Sequence, residues 1–234
     1  MTKGASIKFS SYKETVPKIL EILKLQNGLQ NHDKIILKPF LMDQEKYPPI
    51  QFVESVLRFC LQNKSPDTKV FIAEGADGHD TFDLFEDLGY KKLAEKYSIG
   101  LIDLNNAETE EIEKLEFKQF PAINYPSVLL ESFVISLTKL SEDSELGITG
   151  SLAGMLGAFP ASFYSGLFSM RKSKIRKTPI KYAIHDITQC KMPDFAIIDA
   201  SSQGSILAGL PLDIDKHAAK LLNKDWKSIP YIKL

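Results

Sequence analysis

VFIAEGADGHDTFDLFEDLGYKKLAEKYSIGLIDL, residues 70–104, decides the fold. Val70 to Ala73 is a short apolar run of the kind that forms a buried strand. The following EGADGHD, residues 74–80, is turn chemistry. Thr81 to Tyr97 returns to helical spacing, broken near Gly89, and Gly100 to Leu104 reads again as a strand. Strand, helix and strand in that order make a βαβ unit, whose two strands lie parallel.

The same alternation extends to both sides. Upstream, YKETVPKILEILK from Tyr12 places Val16, Ile19, Leu20 and Leu23 at helical spacing, and Lys34 to Leu37 (KIIL) reads as a strand. Phe52 to Leu61 is the next helical segment. Downstream, the acidic stretch 105–120 is weakly patterned and reads as a surface excursion or an edge hairpin. PSVLLES (126–132) reads as a short helix, FVISL (133–137) as the fourth strand, FAII (195–198) as the fifth, and Asp215 to Leu222 as a final helix. The strand candidates are continuously apolar rather than alternating, as expected when both sheet faces are covered. The expected fold is α/β, a mostly parallel sheet flanked by helices. It is read as a single domain over residues 1–234, with residues 105–190 carrying an insertion or cap.

The totals narrow the function classes. The 234 residues are 44% hydrophobic and 25% charged, enough for a substantial core. A formal net charge of −1 removes a protein-wide basic field for nucleic acid. Met1 to Ser10 lacks an apolar run of signal-peptide length, and no stretch approaches a spanning helix, so neither a leader nor a membrane partner is expected. Cys60 and Cys190 stand apart in unrelated contexts. They cannot build a four-thiolate iron–sulphur cluster or a Cys-rich zinc site, and a reducing, cytoplasmic location is expected.

Ligands of open parallel sheets bind outside the carboxyl ends of the strands. Reading the residue after each strand in turn gives Lys38, then Glu74 with Gly75, then Asp103 with Asn105 just beyond, then Lys139, then Asp199. Lysines there position an anion, and carboxylates act as bases or hold a hard cation. The plain alternative is that the charges stop strands and pair with one another. The 74–81 loop adds Gly75 and Gly78, which allow close backbone approach, and Asp80, which suits a helix cap. Its Asp77, His79 and Asp80 match no metal-ligand spacing, so no metal is assigned. GITGSLAGMLG (147–157), with Gly150 and Gly154, reads either as a ligand cradle or as a small-residue face packed on a neighbour; it is not a Walker or dinucleotide signature. His185 and Asp186 read as packed helix residues, and Asp215 as the cap of the last helix. Arg171, Lys172, Lys174, Arg176, Lys177 and Lys181 lack interleaved aromatics and read as a solvated, mobile segment rather than a nucleic-acid surface.

Several pieces together resemble an uncharacterised family, the domain-of-unknown-function family 362. They are ILKPF (36–40), VFIAEGADG (70–78), LGYKKLAEKYSIGLIDLNN (88–106), LLESFVISLTKL (129–140), GSLAGMLG (150–157), PDFAIIDA (193–200) and DKHAAKLLNKDWKSIPYIKL (215–234). The resemblance carries over Lys38, Glu74, Lys139 and Asp199. It also marks departures: Ala153-Gly154 where relatives have a Lys-Asn pair, LSED where they have a second lysine, and SQGSILAG where they have a Gly-Pro-rich loop. Some relatives add a ferredoxin-like segment with cysteine-ligated clusters. This sequence has neither, so no iron–sulphur cofactor is implied. The function expected is a small anionic-metabolite site formed by Lys38, Gly75, Gly78, Asp103, Lys139, Gly150 and Gly154, with Lys38, Glu74, Lys139 and Asp199 as catalytic candidates and the reaction unspecified. The alternative is a non-catalytic scaffold or sensor that has lost the family's polar site.

Overall fold

A computed structural model describes residues 4–233. The chain runs β1 (Gly4–Lys8), α1 (Tyr12–Ile22), α2 (Gln26–Leu29), β2 (Lys34–Pro39), α3 (Ile50–Asn63), β3 (Lys69–Glu74), α4 (Thr81–Asp87), α5 (Tyr90–Tyr97) and β4 (Gly100–Asp103). It continues through β5 (Thr109–Ile112), β6 (Ile123–Pro126), α6 (Ser127–Leu130), β7 (Phe133–Lys139), β8 (Ser141–Asp143), β9 (Gly147–Thr149) and α7 (Ala161–Tyr164). It closes with α8 (Ile180–Cys190), β10 (Phe195–Ala200), β11 (Ser205–Gly209) and α9 (Pro211–Leu221).

Seven strands form the main sheet in the order β1-β11-β10-β7-β2-β3-β4. The β10-β7-β2-β3-β4 pairings are parallel, and these are the strands expected from the sequence. β11 and β1 add an antiparallel edge. No strand is expected from SQGSILAG, the stretch that stands where relatives have a Gly-Pro-rich loop. Ser205 to Gly209 is too short and too rich in small residues to signal a strand, and its pairing with β10 and β1 makes it one.

The continuous apolar runs have a direct explanation. Ile35, Leu37, Ile72, Ile135, Leu137 and Ile197 face a core built with α1, α3 and α5. Ile36, Ala73, Val134, Ala196 and Ile198 alternate with them and face a second core that includes α8 and α9. Period-two alternation is present, but both faces are apolar. Gly89, at φ +83°, breaks the helical segment into α4 and α5 as its position suggested. The acidic 105–120 stretch supplies β5, which pairs antiparallel with β6 outside the main sheet.

The connectivity places the site. From β2 the chain steps outward to β3 and β4, then returns to lay β7 against the other side of β2. The strand order therefore reverses between β2 and β7, where the loops leaving neighbouring carboxyl ends diverge and open a crevice.

Candidate functional site

Lys38 and Glu74 end β2 and β3, and both are wholly buried. The Lys38 ammonium meets the Glu74 carboxylate at 2.5 Å and also donates to the Gly154 carbonyl at 2.6 Å. Burial pushes the Lys38 ammonium down and the Glu74 carboxyl up, and their mutual attraction opposes both shifts. The other Glu74 oxygen, Oε1, has no hydrogen-bond partner among the described residues.

A third charge completes this cluster. Lys172 is fully buried and donates from Nζ to the carbonyls of Gly75 (2.7 Å) and Gly157 (3.1 Å). Burial lowers its pKa to about 7; Glu74 opposes the shift and Lys38 adds to it. The Lys172 amide donates to Asp77 at 2.7 Å, and Ile175 is buried beside it. The segment is thus anchored on the 75–78 loop through Lys172, which departs from the solvated reading, while Arg171, Lys174, Arg176 and Lys177 are exposed. In sequence Lys172 looks like its neighbours; only contact with two turn carbonyls sets it apart.

The glycines of 147–157 admit these groups. A Cβ at Gly157 would fall on the Glu74 carboxylate. At Gly154 it would come 2.6 Å from Ser136 Oγ, and at Gly150 2.6 Å from the Asp215 carboxylate. Gly75 is equally confined, 2.6 Å from the Gly157 carbonyl. The stretch is a small-residue surface packed on buried polar groups, and residues 153–158 wind as a 3-10 turn. Asp215 lies within α9, where it accepts from the Ser151 amide (2.6 Å) and hydroxyl (2.7 Å) and from the Leu152 amide (3.1 Å). It holds this turn rather than capping its own helix, a correction that follows from its burial. Burial raises its carboxyl to about 6, against the pull of the Ser151 and Leu152 donors.

The remaining strand-end groups separate. Asp103 accepts from the Asn105 amide (2.9 Å) and from Asn106 Nδ2 (2.6 Å), closing the turn after β4. Asn105 donates to the Ala76 carbonyl and accepts from the Ala161 amide. Lys139 reaches the Glu45 carbonyl at 3.4 Å. Asp199 is its register partner on β10, yet its carboxylate turns to Tyr12 Oη (2.9 Å) and the Ser201 amide (3.0 Å). Lys38, Glu74 and Lys172 form one cluster, and Asp199 with Tyr12 forms another. Asp80 caps α4 by accepting from the Phe82 and Asp83 amides. His185 contacts Asp186, whose buried carboxylate accepts the amides of Lys118, Gln119 and Phe120.

A cleft of about 820 Å³ opens at the carboxyl ends of β2 and β7. Its walls come from the loops after β2 and β3, the β8–β9 hairpin and the docked basic segment. Lys46 bridges Asp43 (2.8 Å) and Asp143 (2.5 Å) across it, and Arg176 approaches Asp77 at 3.4 Å. Arg171, which packs along Gly78 (φ +79°), and His79 line the cleft without an ion pair among the described residues, as do the carboxylates Glu45 and Glu145. Phe40 and Leu156 also line it, and the same segments carry Lys38 and the Gly154 and Gly157 carbonyls beneath. Lys46, Asp143 and Arg171 were absent from the expected site, because loop residues far apart in sequence give no joint signal.

Fold and site define an α/β protein with an open, mainly parallel sheet and a charged cleft at its switch point. The family model for a domain of unknown function, DUF362, matches residues 35–205, and the chain belongs to that family. Among solved structures it is similar to the lactate racemase apoprotein from Thermoanaerobacterium thermosaccharolyticum, with 13% sequence identity and a TM-score of 0.58. The similarity covers 92% of this chain and 56% of that one, so the chain spans little more than half of that structure. At this identity the likeness is one of fold. No curated protein matches the chain.

Proposed function

We propose that the protein binds a small anionic metabolite, with a carboxylate as the first class to test, in the cleft at the carboxyl ends of β2 and β7. One observation carries the reading: in a cleft whose lining also includes the carboxylates Asp43, Glu45, Asp77, Asp143 and Glu145, Arg171 and His79 stand beside Gly78 without an ion pair among the described residues. Arg offers a planar fork of donors that suits a carboxylate or phosphate. Gly78 lets the backbone approach without a side chain. The similar fold of a protein named for lactate, itself a small carboxylate, fits this ligand class.

In this reading Lys38, Glu74 and Lys172 lie beneath the ligand and organise the 75–78 and 153–158 turns. Calorimetric titration with a panel of small carboxylates and phosphates, lactate included, tests it. Arg171→Ala should weaken a bound carboxylate roughly tenfold or more, the usual worth of a charge-assisted hydrogen bond. A panel ligand bound equally by parent and variant would place recognition elsewhere.

A second reading, a non-catalytic scaffold or sensor, is favoured by one observation. Lys38, Glu74, Asp103, Lys139 and Asp199 all have partners within the protein. Turnover of any bound metabolite would remove it.

A further inference from the structure

Between Glu145 and Asp186 the chain contains no acidic residue, yet it holds Arg171, Lys172, Lys174, Arg176, Lys177 and Lys181. The middle of this span also carries several strongly exposed apolar side chains close together on one short loop. Leu167 is 89% exposed, Phe168 104% and Met170 47%, and Phe163 follows at 43%. Isolated apolar residues on a surface are ordinary, but a cluster on one loop marks an interaction site.

The loop is held outward. At its base Lys172 is buried on two carbonyls, the Gly78 amide donates to the Met170 carbonyl at 3.2 Å, and Ile175 enters the core. Leu167 and Phe168 stand at the far end of that anchored base. Phe168 has φ +59°, a left-handed conformation that bulky side chains rarely adopt. An aromatic ring that is fully exposed and unfavourably placed in backbone terms gains nothing from the fold by itself. It gains if the ring is buried elsewhere.

The charges around the tip select the occupant. Lys174 and Lys177 are exposed immediately after it and make no ion pair among the described residues, while Arg171 and Arg176 turn toward the cleft, Arg176 against Asp77 at 3.4 Å. Apolar side chains projecting beyond a basic collar complement an anionic bilayer, whose phosphates meet the cations while the side chains enter the headgroup boundary. No described helix is long and apolar enough to cross a bilayer. We infer that the loop around Leu167 and Phe168 docks the protein on anionic lipid surfaces. The inference is independent of what the cleft binds.

Vesicle sedimentation with the full chain tests it, using phosphatidylcholine mixed with phosphatidylserine against phosphatidylcholine alone. The parent should pellet with the anionic vesicles and be released by high salt. The double variant Leu167→Asp/Phe168→Asp should partition at least about tenfold more weakly, the change produced by about 1.4 kcal/mol of lost burial. Its melting temperature should match the parent's, because both side chains are exposed and Asp tolerates the left-handed conformation better than Phe. Lys174→Glu/Lys177→Glu should remove the preference for anionic vesicles while leaving the apolar tip intact. Equal binding to both vesicle types overturns the inference, as does undiminished binding by the tip variant. A parent that ignores vesicles but forms a concentration-dependent dimer, lost in the tip variant, would assign the surface to a second copy instead.

Discussion

Replacing Glu74 with Gln keeps the shape of the side chain and removes the only carboxylate that Lys38 contacts in the buried cluster. Lys38 retains the Gly154 carbonyl, and Lys172 retains those of Gly75 and Gly157. Neither ammonium keeps a counter-charge of comparable proximity. Breaking one partner of a buried ion pair costs about 3–5 kcal/mol, a large share of the roughly 5–15 kcal/mol that stabilises a domain. Urea unfolding followed by circular dichroism at pH 6, below the value of about 7 at which Lys172 releases its proton, should show that loss with an unchanged denaturant slope. The deficit should narrow as pH rises, because a buried lysine escapes by releasing its proton. Lys38→Met/Glu74→Gln should recover part of the loss, since replacing both partners with uncharged side chains removes the orphaned charge on Lys38. A deficit below about 0.5 kcal/mol at pH 6 would refute the cluster as a coupled charge site.

Lys172→Met should change how stability depends on pH. The unfolded lysine keeps its proton to its ordinary value of 10.5, whereas the folded one releases it near 7. The unfolded state binds more protons within that window, so parental stability rises from about pH 7 toward 10.5, and the variant should lack that increment. Matching pH slopes in parent and variant would contradict the burial of this amine. Gly157→Ala forces a methyl onto the Glu74 carboxylate and should lower stability by roughly 1–3 kcal/mol, read as a fall in melting temperature. Asp215→Ala orphans the Ser151 and Leu152 amides, while the Ser151 hydroxyl keeps the Pro211 carbonyl at 3.1 Å, and should cost on the order of 3 kcal/mol, with faster hydrogen exchange at the 151–152 amides.

The legible part of the fold was its parallel half. β2, β3, β4, β7 and β10 each carry an apolar run bounded by charge or glycine, and local composition suffices for such strands. β1 and β11 were not legible, because GASIK and SILAG are short and become strands through pairing. The site divided in the same way. Lys38 and Glu74 could be found because strand ends are positions a sequence can mark. Lys172 could not, because its neighbours Arg171 and Lys174 are also basic and only docking against the Gly75 and Gly157 carbonyls distinguishes it.

By itself the sequence determined the layered α/β architecture and the end of the sheet where charge would collect, since hydrophobic periodicity and strand-terminating residues are local properties. Tertiary structure alone decided which charges meet. Lys139 and Asp199 are register partners whose side chains diverge, whereas Glu74 and Lys172, almost a hundred residues apart, share a buried cluster beneath the cleft. Convergence depends on strand order and on which loops fold back over the sheet. Those follow from the packing of the whole chain, and no short stretch of it carries them.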